Sequence, residues 1–126
     1  MFGRYALVLF SLLTLAAAGC IFAGVAAVGA GVVYVNGEGK KTFTCSIDDA
    51  HVATLKALDQ MGLIKLEESR DDEGWMVRTR RPGDAAEVKI HIRRAADGLT
   101  EVRVRVGTWG DKYYSAQIIE AIGNNL

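Results

Sequence analysis

From residue 41 onward, apolar and polar positions change period in a regular way. Lys41-Thr42-Phe43-Thr44-Cys45 alternates and predicts a strand, with Tyr34-Val35 as its beginning and Asn36 to Lys40 as a turn or bulge. Ser46-Ile47-Asp48-Asp49 then opens a helix. Ser46 suits the cap, and the two aspartates favour the positive end of the helix dipole. The helix is predicted to run to about Met61 and to stop at Gly62, with Ile47, His51, Leu55, Leu58 and Met61 as its inward stripe.

Four period-two runs follow. Leu63–Glu68 places Ile64 and Leu66 on one side, and Trp75–Arg80 groups Trp75, Val77 and Thr79. Glu87–Arg93 groups Val88, Ile90 and Ile92, and Thr100–Val106 groups Val102, Val104 and Val106. Each run is half buried by this pattern. Asp71-Asp72-Glu73-Gly74, Pro82-Gly83-Asp84 and Ala96-Asp97-Gly98 supply turns short enough for an antiparallel meander. Asp111 caps a last helix whose inward face is Tyr114, Ile118, Ala121 and Ile122. The expected fold is α+β. It has two layers, an antiparallel sheet of about five strands with both helices on one face, in the order β-α-β-β-β-β-α.

The first twenty residues follow a different logic. Arg4 precedes the apolar run Ala6–Ala18, and Ala17-Ala18-Gly19 gives small residues directly before Cys20. A basic start, an apolar middle of roughly 7–15 residues and a small-residue cut make a secretory signal. The end resembles the lipobox of bacterial lipoproteins, whose cysteine is linked to diacylglycerol and becomes the new N-terminus; Ala17 stands where that motif usually has Leu. This divides the chain into a signal (1–19), a lipidated Cys20 with a Gly/Ala-rich tether (20–37), and one domain (38–126). Ile21 rather than Asp after Cys20 points to the outer membrane, facing the periplasm. The competing reading is a retained single-pass membrane anchor, because no charged residue occurs from Tyr5 to Val35 and a span needs only about 20 residues. Gly24, Gly29 and Gly31 count against it as poor helix formers.

Charge excludes one class of partner. The chain has 15 basic and 15 acidic residues, and removing Arg4 with the signal leaves a net charge of about −1, which does not favour nucleic acid. Gly29-Ala30-Gly31 is no dinucleotide fingerprint, because Tyr34 stands where the third glycine belongs.

No catalytic set assembles. His51 falls on the apolar helix face, where a packed aromatic with one satisfied nitrogen is expected, and His91 points outward from its strand. Neither has metal spacing with Cys45, so no metal, cofactor or small-molecule substrate is expected, and no enzyme. With Cys20 lipidated, Cys45 is left alone; with Cys20 free, a Cys20–Cys45 disulfide is open. Cys45 reads as a small residue buried at a strand end, with a reactive thiol before a helix start as the sharper alternative.

The informative surface is the outward face of the sheet. Alternation puts Arg78, Arg80, Lys89, His91, Arg93, Arg103 and Arg105 there, beside Glu67, Glu87 and Glu101. Two functions fit: a platform for a protein partner or an anionic lipid or glycan, and a merely solvated face with cross-strand ion pairs.

Several stretches resemble a family of small bacterial lipoproteins of unknown function, DUF3568. They are the leader ending in Tyr34-Val35-Asn36-Gly37, Ser46-Ile47-Asp48-Asp49-Ala50, Leu58–Leu63, and above all Thr100 to Asp111 (Thr-Glu-Val-Arg-Val-Arg-Val-Gly-Thr-Trp-Gly-Asp). The resemblance implies a lipid-anchored envelope protein with an aromatic at the position of His51, and it carries no activity. At the level of element order alone, the chain also resembles the helix-grip repeats of BamC-type outer-membrane-protein assembly lipoproteins. The expected role is a non-catalytic periplasmic lipoprotein, held to the membrane by Cys20, that binds another envelope protein.

Overall fold

The computed structural model describes residues 31–126. Cys20, the signal 1–19 and the first part of the tether lie outside them. Eight elements follow in order: β1 (Val33–Val35), β2 (Glu38–Phe43), α1 (Ile47–Gln60), β3 (Ile64–Arg70), β4 (Gly74–Arg80), β5 (Glu87–Ala96), β6 (Leu99–Val106) and α2 (Lys112–Asn124). All six strands join one antiparallel sheet in the spatial order β1-β2-β6-β5-β4-β3. The chain leaves β2, crosses the sheet as α1, and returns through the β3–β6 meander to lie beside β2. Both helices pack on the same face, α1 against β3 to β6 and α2 against β2 and β6, and they touch each other.

The fold class is the expected one, but the strand count is six rather than five. Asn36 and Gly37 both have positive φ (54° and 82°), the geometry of a tight two-residue hairpin turn. Val33–Val35 is therefore a strand of its own and not the start of the next one. The folded unit begins at Gly31, so the end of the stretch read as tether belongs to the domain.

The core is aliphatic. Val77, Val88, Ile90, Ile92, Val102, Val104 and Val106 from the sheet meet Ile118, Ile119 and Ile122 from α2. On α1 the buried residues are Ala50, Ala53, Thr54, Ala57 and Leu58, while Ile47, His51, Leu55 and Met61 are only half buried. The buried stripe is thus rotated by about one position from the expected one. Alanines let α1 lie close to the sheet, and the larger side chains fill its flanks. Thr54 settles its hydroxyl by donating to the Ala50 carbonyl (2.7 Å). Both caps form as expected. Ser46 Oγ accepts from Asp49 N at 3.1 Å, and Asp111 Oδ1 accepts from Tyr114 N at 3.0 Å.

Edge strand β3 departs from the period-two reading. Its pairing with β4 shifts between Lys65 and Glu67, and Ile64 lies opposite Arg80 on the uncovered face. Ile64 and Leu66 are exposed in consequence. A bulge of this kind also blunts an edge against unwanted pairing. Among the described residues, no helix is long and apolar enough to cross a membrane.

Candidate functional site

The uncovered sheet face gathers the seven residues singled out above. Register places Arg78, Lys89 and Arg105 in one row across β4, β5 and β6, and His91 beside Arg103 in the next. Arg93 stands opposite Glu101, and Arg80 opposite Glu87 at the end of β4.

The cations do not form a bare cluster. Arg78 Nη1 donates to Glu67 at 2.7 Å, and its Nε lies 3.6 Å from Glu87. Lys89 is 3.8 Å from the same Glu87, and Arg93 is 3.3 Å from Glu73. Arg103 Nε donates to Glu101. Arg105 is used internally: Nη1 donates to the Asn36 carbonyl (3.1 Å) and Nη2 to the Thr108 carbonyl (2.8 Å). It thereby ties the β1–β2 hairpin to the loop before α2. Among the described residues Arg80 alone of the six cations lacks such a partner. Burial, and then Arg93, hold the His91 pKa below its ordinary 6.5, so the imidazole is neutral at neutral pH. Exposed pairs of this kind each contribute about 0–1 kcal/mol. Their effect is to make the face a patterned mosaic of both signs.

A cleft of about 650 Å³ opens beside this face at the β3–β4 turn, lined by Arg70, Asp72, Glu73, Arg93, Arg94 and Arg103 among others. It also has both signs of charge. Arg70 pairs with Asp48 (3.2 Å), and Arg93 and Arg103 pair as described.

The histidine of α1 is a packing group. Its ring stacks on Trp75 with centroids 3.7 Å apart and planes 1° from parallel. Nε2 is hydrogen-bonded to Glu68, whose other oxygen accepts from Lys65 Nζ at 2.8 Å. Cys45 is a free, half-buried thiol in the connection after β2. Burial pushes its pKa above the ordinary 9.0, opposite to the activation expected for a reactive thiol before a helix. Among the described residues no three His, Cys, Asp or Glu side chains are placed to hold a metal ion.

Two features escaped the sequence reading. Arg81 joins the β4–β5 loop to the start of α2. It binds Asp84 in two places (3.0 and 2.5 Å), donates to Asp111 (3.0 Å) and lies 4.8 Å over the Tyr114 ring. Its only sequence signal is a cation before Pro82-Gly83-Asp84. The second is Trp109 with Tyr113, which are 91% and 81% exposed. Helical spacing hinted at Tyr113, which falls outside the stripe of Ser115, Ile118, Ile119 and Ile122.

A two-layer α+β domain with one sheet face left open is thus the class of molecule that residues 31–126 define. The chain belongs to the family described as "Protein of unknown function (DUF3568)", which it matches over residues 4–125. No curated protein matches it.

Proposed function

We propose that the chain is a non-catalytic, lipid-anchored envelope protein whose domain binds another envelope protein through the open sheet face. The Ala17-Ala18-Gly19-Cys20 sequence after an apolar run supports the anchor and a periplasmic location, and Ile21 rather than Asp after Cys20 supports the outer membrane. The observation that carries the choice of partner is the charge mosaic. Arg78, Lys89, Arg93 and Arg103 face carboxylates on the same surface. A uniformly anionic bilayer or glycan rewards unpaired positive charge, whereas a protein with a matching pattern recognises alternating signs and is selected by them. Exposed Ile64, opposite Arg80, adds apolar area at the β3 edge of the same face.

The test is crosslinking in native envelopes with wild type and with the charge reversal Arg80→Glu, Lys89→Glu and Arg93→Glu. All three residues are on the surface, so the variant should keep its circular dichroism spectrum and lose the crosslinked protein. A folded variant that retains the same partner contradicts the reading. Loss of binding to anionic vesicles, with no protein partner in either case, supports a lipid-binding or glycan-binding platform instead.

A further inference from the structure

Trp109 and Tyr113 are the two most exposed large apolar side chains among the described residues. They are not on a loose loop. Arg105 holds the Thr108 carbonyl, Asp111 caps α2, and Arg81 holds Asp111. Gly110 packs so closely on the hairpin that a Cβ there would be 2.6 Å from the Gly37 carbonyl oxygen. Two aromatic rings are therefore presented to solvent from a braced backbone. Lys112 is exposed between them, and the one carboxylate of the segment, Asp111, is committed to Tyr114 N and Arg81. Trp109, Lys112 and Tyr113, all exposed within five residues of chain, are the side-chain types found at a bilayer interface.

The position of the pair agrees. Its loop packs on the β1–β2 hairpin, the first structure after the tether. Ten residues, 21–30, separate Cys20 from Gly31, so the eleven steps between them reach at most ~36–40 Å when fully extended. None of them is charged. A lipid on Cys20 therefore keeps this end of the domain within reach of the membrane surface. We propose that Trp109 and Tyr113 seat the domain on the bilayer that holds its lipid, with Lys112 at the headgroup phosphates. This rests on the lipid-anchor reading.

The chain has two tryptophans, and Trp75 is stacked on His51. Trp75→Phe therefore isolates Trp109 as the fluorophore. The full lipidated chain is reconstituted into phosphatidylcholine–phosphatidylglycerol vesicles with brominated acyl chains. The expected result is blue-shifted Trp109 emission that the brominated lipid quenches, with weaker quenching in Lys112→Glu. Trp109→Ala in the wild-type background must abolish the quenching; that measurement stands if Trp75→Phe fails to fold. A chain that floats with the vesicles but shows water-like, unquenched Trp109 emission overturns the seating while leaving the anchor intact. A chain that neither floats nor carries lipid mass overturns both.

Discussion

Replacing Gly110 with alanine tests whether the Trp109 loop is clamped to the β1–β2 hairpin. Gly110 has φ +86°, where a side chain costs roughly 1–2 kcal/mol. A Cβ there would also meet Tyr34 Oη and lie 2.6 Å from the Gly37 oxygen and 2.8 Å from Gly37 Cα. The tyrosine can swing aside. The Gly37 backbone is fixed in a turn of two positive-φ residues and must move. Overpacking of this kind adds about 1–3 kcal/mol. Gly107 is the control in the same loop: its φ is +67°, and nothing lies within 4 Å of its Cβ position. Gly107→Ala carries the conformational cost alone. At roughly 4–8 °C per kcal/mol for a domain of this size, Gly110→Ala should melt at least about 4 °C below Gly107→Ala, and both below wild type. Thermal unfolding followed by far-ultraviolet circular dichroism gives the comparison. Equal melting temperatures for the two variants would refute the clamp, and with it the claim that Trp109 is held rigidly.

Three further outcomes follow from the packing around the sheet. Arg81 holds the Asp84 carboxyl down to about 2; the Tyr114 amide, and then Arg81, lower that of Asp111. A depressed carboxyl stabilises the fold above its ordinary value of 3.8, and that stability is lost as pH falls towards the folded value. The wild-type melting temperature should thus fall between about pH 4 and pH 2, and Arg81→Gln should flatten that limb; an unchanged acid slope would count against the staple. His51→Phe keeps the stack on Trp75 and should stay within about 1 kcal/mol of wild type in urea unfolding, whereas His51→Ala forfeits about 0.5–1.5 kcal/mol of stacking plus packing. The reverse order would show that the Glu68 hydrogen bond matters more than the ring. Cys45, its thiol pKa raised by burial, should react with iodoacetamide more slowly at mildly alkaline pH than a small free thiol; faster labelling would restore the reactive-thiol reading.

The central strands were legible because alternation is strict where a sheet has one covered and one open face. Val88, Ile90 and Ile92 and their neighbours on β6 are buried, and the intervening charges point out. The caps Ser46 and Asp111 were legible for the same local reason. What failed needed information across the chain. Asn36-Gly37 is a strong turn signal, yet a three-residue strand such as Val33–Val35 has too little pattern to announce itself. On α1 the pattern favoured the large residues, while small size put Ala50, Ala53 and Ala57 at the closest approach. The cations of the open face were placed correctly, but their pairing depends on register. Arg78 finds Glu67 because β3 lies at the β4 edge, and Arg105 finds backbone carbonyls of two different turns. Trp109 stands between two glycines in a turn, where neither period applies, so its exposure has no sequence counterpart.

The most direct test of the lipid-anchored reading is the intact mass of the protein isolated from cell envelopes, with the N-terminal peptide sequenced by tandem mass spectrometry. The account predicts a chain that begins at Cys20 and carries diacylglycerol and an N-acyl group. An uncut Met1, with no lipid mass on Cys20, would contradict it.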